Sequence, residues 1–249
     1  MSRHHIRKKT GFLLSACASL LIISACQTTQ EQTLQQSREA RIDSALGRAV
    51  ASTEARGHSS QSLPFLEQSY KRNSDDENAA IAYAAALRRA DQLSRASIVL
   101  LPFANSADST SKAKSEYAAI QLAQGNYTSA EDFAQKAIIQ DEKNFEAYHY
   151  LGIALDARSM HKEAERSFRK GLELWEGDPT TIMNNLALNL TSQGYLDEAA
   201  TILQKAQSIS PDRVELERNL RIVNALRESG GYAAPKPSAK PTAFGPQPQ

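Results

Sequence analysis

The sequence predicts an all-α fold, a solenoid of antiparallel helix pairs, and three observations predict it. Alanine recurs at Ala96, Ala130, Ala164 and Ala199, separated by 34, 34 and 35 residues. With that alanine as position 20 of a unit, position 8 is small in every unit: Ala84, Ala118, Gly152 and Ala187. Position 7 is then Tyr83, Tyr117, Leu151 and Leu186, with large apolar residues expected at 11 and usually at 24. Small residues let two helices approach closely and large ones fill the seam around them, the pattern of an antiparallel helix pair.

The units fall at 77–110, 111–144, 145–178 and 180–213, with one extra residue near Pro179 before the last. Gly125-Asn126-Tyr127 and Gly194-Tyr195-Leu196 mark the turn inside a pair. Extending the phase backward gives a degenerate unit at 43–76, where Val50, Gly57, Ser62 and Leu66 fit and Thr53 and Pro64 do not. Forward, Leu216 to Glu228 forms one more amphipathic helix with Leu220 at position 7, a cap (214–228) for the last apolar face. Pro102 lies inside a second helix, which it should end or kink near Leu101, leaving 103–111 as loop.

Composition excludes several functions. The 249 residues carry 29 Lys+Arg against 28 Asp+Glu, a net charge of +1, so the basic excess used on nucleic acids is missing. With 41% hydrophobic residues the chain buries a core but is no membrane bundle. Both cysteines, Cys17 and Cys26, lie in the first 26 residues, so the body holds no disulfide framework and no thiolate metal cluster.

The amino terminus carries an address. Arg3, Arg7, Lys8 and Lys9 precede an apolar run from Gly11 to Ile23, the n-region and h-region of an export signal over residues 1–25. Ile23-Ser24-Ala25-Cys26 resembles the lipobox of bacterial lipoproteins, which implies cleavage before Cys26 and acylation of that residue. More than one acyl chain makes such anchoring stable, and loss of the signal leaves a mature charge of about −3. Gln27 follows the cysteine in place of the Asp that, in that family, favours inner-membrane retention. The resemblance thus implies the periplasmic face of the outer membrane; a secreted periplasmic or inner-membrane-anchored protein is the alternative. Residues 26–42 form the lipidated tether, rich in Gln, Thr and Ser as far as about Ser37. Residues 229–249, with Gly230-Gly231 and five prolines, form an extended tail.

No constellation for catalysis is present. The mature histidines are His58, His149 and His161, without HExxH, GxSxG or a phosphate-cradling loop, so no enzyme, cofactor or metal is expected. His149 and His161 are 12 apart across an interhelical turn and lack the Cys or paired His a metal needs. Asp75-Asp76-Glu77 and Glu163/Glu165 are expected as helix-start charges and solvated faces.

Tyr148, Leu151-Gly152, Leu155, Ala164, Phe168 and Gly171 resemble the tetratricopeptide repeat, as does the looser Leu186-Ala187, Leu190, Gly194, Ala199, Leu203, Ala206, Pro211. That resemblance implies a right-handed superhelix whose groove, lined by positions 2, 5, 9 and 12, holds a protein partner. Carried over, the lining residues are Ile81, Arg88, Ser115, Leu122, His149, Ile153, Asp156, Asn184, Leu188 and Thr191. They lack the Lys/Asn/Arg arrangement that clamps a peptide carboxylate. An acylated cysteine, about five such units and Asn184-Asn185-Leu-Ala-Leu-Asn-Leu with Asn219-Leu220 resemble the TadD family of Flp pilus assembly lipoproteins of the tight-adherence (Tad) system. The partners implied are a pilus secretin or other pilus-assembly components, and the membrane through Cys26. A periplasmic adaptor for cell-wall or envelope-assembly enzymes is the alternative.

Overall fold

A computed structural model describes residues 35–42, 44–52 and 59–229, which contain helices and their connections and no strand. The chain divides into two units, 1–71 and 72–249. The signal peptide, Cys26, most of the tether and the tail beyond Ser229 lie outside the described residues.

In the first unit, 35–42 and 44–52 are helical, and α1 spans Ser59–Arg72. Pro64 stands inside α1 with its ring exposed, while Ser62 and Leu66, at positions 20 and 24 of the backward phase, are buried. Thr53 and Gly57 fall outside the described residues.

The second unit is a run of helices: α2 (Glu77–Arg89), α3 (Leu93–Asn105), α4 (Ser111–Ala123), α5 (Tyr127–Gln140), α6 (Phe145–Ala157), α7 (His161–Leu174), α8 (Thr180–Ser192), α9 (Leu196–Ile209) and α10 (Val214–Glu228). First helices start on side chains that satisfy their free N–H groups. Asp76 accepts from Asn78 N at 2.8 Å, Thr110 from Ala113 N at 3.4 Å and Asn144 from Ala147 N at 2.9 Å. Before α8 the cap position is taken by Pro179, and Asp178 Oδ1 instead accepts from Thr180 N at 2.9 Å.

Among the described residues, the turn inside each pair from α2 to α9 is the same left-handed stop. Asp91, Gly125, Ser159 and Gly194 have φ of +57°, +78°, +63° and +83°. The next N–H reaches back five residues at 2.9 Å in each: Gln92 to Leu87 O, Asn126 to Gln121 O, Met160 to Leu155 O and Tyr195 to Leu190 O. This is the Schellman end of a helix, in which glycine is the usual left-handed residue. The sequence shows glycine at two of the four; Asp91 and Ser159 adopt the same conformation at a steric penalty.

Packing between paired helices follows the alanine register. Ala84, Ala96, Ala118, Ala130, Ala164, Ala187 and Ala199 have 0% exposure, and Leu87, Leu100, Phe168, Leu186, Leu190 and Leu203 fill the seams. Gly152 is the small residue opposite Phe168: a Cβ there would stand 2.5 Å from the ring. Position 11 of the second pair breaks the expected apolar rule. It is buried Gln121, whose amide pairs with Gln124 Oε1 and Asn126 Nδ2, both at 3.1 Å.

The expectation for Pro102 needs correction, because α3 continues through Phe103 and Ala104 to Asn105. Proline removes the N–H that would bond Ile98 O. Ile98 is 73% exposed and Pro102 is exposed, so the freed carbonyl lies on a face open to water. The joint that follows is held by Lys114, whose Nζ donates to Ser109 Oγ (2.5 Å), Ser109 O (3.1 Å) and Gln140 Oε1 (2.8 Å). Burial lowers the pKa of this ammonium, and the three acceptors replace its water.

Candidate functional site

Each second helix packs against its own first helix and against the first helix of the next unit. First helices of successive units also touch directly, whereas second helices of successive pairs make no comparable contact. The first helices therefore stand closer together and line the inner side of the array. Contacts between them are more extensive from α2 to α6 than from α6 to α10.

The ten expected groove residues divide by burial. Ile81, Ser115 and His149 are buried at 5%, 0% and 6% exposure, so their side chains do not face an open groove. Close approach of the first helices covers them, and the Ser115 hydroxyl donates to Lys112 O at 3.1 Å within its own helix. Thr191 is spent likewise on Ala187 O at 2.7 Å. Asp156 Oδ1 lies 2.7 Å from His161 Nδ1 and accepts from Asn189 Nδ2 at 2.6 Å, tying α6 to α7 and α8. Asn184 Oδ1 accepts from Asn219 Nδ2 at 2.8 Å, tying α8 to the capping helix. Leu122 and Ile153 are partly buried and Leu188 is 38% exposed, leaving a small apolar set accessible.

Arg88 belongs to a charged cluster that sequence reasoning missed in part. Its Nε and Nη2 donate to Glu116 Oε1 and Oε2 at 2.8 and 3.1 Å, a two-pronged bridge from α2 to α4. Burial opposes the guanidinium charge, but hydrogen bonding and the field of Glu116 outweigh it and hold its pKa above the ordinary value. Glu146, on α6, has its pKa raised by burial first and by Glu116 second. Tyr150, one turn on, has its hydroxyl pKa raised by burial first and then by Glu116 and Glu146.

His149 faces the other direction. Its ring lies 5.6 Å from Trp175 at 86° and 6.1 Å from Phe168, and Nε2 is 2.8 Å from the Asn185 amide nitrogen. An amide nitrogen only donates, so Nε2 accepts and the ring is neutral. Burial lowers its pKa to about 4.

A signal for the missed residues was present. Glu116, Tyr150, Asn185 and Asn219 recur at separations of 34, 35 and 34, all at position 6. Position 5 of one unit meets position 6 of the next, as His149 meets Asn185 and Asn184 meets Asn219. Among the described residues no group of three or more His, Cys, Asp or Glu is placed to hold a metal ion, and no helix is long and apolar enough to cross a membrane.

Comparison with known proteins bears on the fold. Residues 180–209, covering α8 and α9, match the model of the tetratricopeptide repeat. No curated protein sequence matches the chain. Among solved structures, a thermophilic TPR protein of Thermus thermophilus aligns with a TM-score of 0.65 at 18% identity, over 74% of this chain and 99% of that one. A tetratricopeptide repeat protein from Parabacteroides merdae aligns with a TM-score of 0.55 at 15% identity, over 77% and 75%. MamA from Desulfovibrio magneticus aligns with a TM-score of 0.52 at 16% identity, over 70% and 97%. Residues 180–209 thus match a tetratricopeptide repeat, and the array around them has the fold of tetratricopeptide-repeat proteins.

Proposed function

We propose that this chain is a non-enzymatic protein-binding scaffold, held at the periplasmic face of the outer membrane by acylated Cys26, that assists assembly or localisation of a Flp/Tad pilus secretin. The observation that carries the binding role is the inner side formed by directly touching first helices. A surface continuous over several helices accepts a helix or extended segment, with Leu122, Ile153 and Leu188 as apolar contacts. The lipobox at Ile23–Cys26 supports the anchor, and the resemblance to TadD lipoproteins supports the secretin as partner.

The test compares secretin multimers in membranes of cells making the wild-type chain, Cys26→Ala or Leu188→Glu. Cys26→Ala should release the protein from the membrane and reduce multimers, and Leu188→Glu should reduce multimers with the anchor intact. Undiminished multimers with both variants would overturn the proposal. Co-purification of a cell-wall hydrolase in place of pilus proteins would reassign the scaffold to envelope enzymes.

A further inference from the structure

Within the first unit, the helical segments 35–42 and 44–52 and α1 border an open cavity of about 980 Å³, a size that takes a small amphiphile. Its lining divides by chemistry. Arg38, Arg41 and Arg48 bring exposed side chains to it, and Ile42, Leu46 and Phe65 supply an apolar wall. Among the described residues no acidic side chain lines the cavity, and none of the three arginines has an ion-pair or hydrogen-bond partner. Ile42 is 39% exposed, so the wall is open to an incoming apolar group. Three cations gathered about one hollow repel one another, and an anion seated among them relieves that repulsion.

We infer that this cavity receives the phosphodiester head of an anionic phospholipid, so that the first unit grips the bilayer surface at a second point besides the acyl anchor. Guanidinium forks match phosphate oxygens in pairs, and the glycerol and upper acyl carbons lie against Ile42, Leu46 and Phe65. Location selects the lipid over an acidic peptide. Nine residue steps separate Cys26 from Gln35, at most about 30 Å of extended chain, so an anchored molecule keeps the cavity close to headgroups. The mature chain is about −3 overall, so attraction to an anionic bilayer has to come from a local cluster of this kind. The inference rests on the anchor proposed above.

The test uses the full chain, exported and acylated in cells, with Ser44→Cys as its free thiol, since Cys17 leaves with the signal and Cys26 is acylated. A dye on that thiol reports contact with vesicles that carry a trace of nitroxide-headgroup lipid. Vesicles of phosphatidylcholine with phosphatidylglycerol should quench the dye, and vesicles of phosphatidylcholine alone should leave it bright. Each step in the series Arg38→Gln, Arg41→Gln, Arg48→Gln should lower the ratio of touching to free segment by about fivefold, and added salt should act in the same direction. An unquenched dye, equal quenching by the neutral vesicles, or unchanged quenching in the triple variant would overturn the inference. A dye that responds to poly-glutamate and not to phosphatidylglycerol would overturn it as well, giving the cavity to an acidic partner. If the triple variant does not fold, the two vesicle compositions decide alone with the arginines in place. Flotation separates this inference from the anchor. A chain that floats with both vesicle types without quenching keeps the anchor and loses the cavity. One that floats only with phosphatidylglycerol, and no longer does so in the triple variant, keeps the cavity and loses the anchor.

Discussion

The two halves of the inner side solve one problem with different chemistry. Between α2 and α4, neighbouring first helices are joined by the Arg88–Glu116 ion pair, and Glu146 and Tyr150 of α6 act on Arg88 through their fields. From α6 to α10 the joints are neutral and use a different register, position 5 on position 6: His149 on Asn185 and Asn184 on Asn219. Beneath the second half lies a continuous apolar cluster that includes Leu155, Phe168, Leu186, Leu203, Leu216 and Val223. A repeating backbone fixes where side chains meet, and the residue at each meeting point decides whether the joint answers to salt, to pH or to neither.

The sharpest way to break the second half is its core. Phe168 is 1% exposed, so Phe168→Ala should lose about 3–5 kcal/mol in urea unfolding. Gly152→Ala drives a methyl into the same ring and should lose about 2 kcal/mol. In the other pairs alanine stands at position 8 and leucine or alanine at 24, as in Ala84 with Leu100 and Ala187 with Leu203. The double variant Gly152→Ala/Phe168→Leu should therefore be less damaged than the sum of its single changes, a coupling of about 1 kcal/mol. Strict additivity would show that the two residues do not share the space.

Acid should separate the halves next. The His149 pKa is about 4 in the fold against an ordinary 6.5, so its contribution is present above pH 6.5 and lost as pH falls towards about 4. The loss is on the order of 3 kcal/mol. Glu146 has the opposite sign: its pKa is raised, so its share of stability is present at low pH and lost as pH rises through its folded value. Unfolding midpoints measured from pH 7 to 4 should fall in the wild type, and His149→Gln should flatten that slope. A slope of the same size in His149→Gln would assign the acid sensitivity elsewhere.

Arg88→Ala leaves the Glu116 carboxylate unpaired beside Glu146 and should destabilise by about 2 kcal/mol, an effect that shrinks as salt is added. Asn185→Ala, in the neutral half, should lose about 1 kcal/mol with no salt dependence. Equal salt responses would erase the contrast between the two joints.

The smallest effects lie in the turns. Ser159, at φ +63°, should gain up to about 1 kcal/mol on replacement by glycine. Gly125, at φ +78° with open space around its Cβ position, should lose a similar amount as alanine, about 1 kcal/mol of purely backbone origin. Thermal melts of the two variants should shift in opposite directions.

Much of this was legible in the sequence, because a helix pair is a local object. The 34-residue alanine register fixed which residues are buried between paired helices, and Gly125 and Gly194 marked two of four identical turns. Asp91 and Ser159 escaped notice because a left-handed residue need not be glycine when the surrounding helices enforce the turn. The groove was the least legible part. Family positions pointed to Ser115 and His149, which the close approach of first helices buries.

What the chain alone determined is the period, the pair and the small-residue seam, since each depends on contacts within one unit. Only the tertiary structure decided which polar groups find partners, because those contacts join residues a whole unit apart. Arg88 and Glu116 are 28 residues apart, His149 and Asn185 36. Helix propensity and capping act over one turn, whereas these pairings depend on the spacing between successive first helices. That spacing pairs Arg88 with Glu116 and His149 with Asn185.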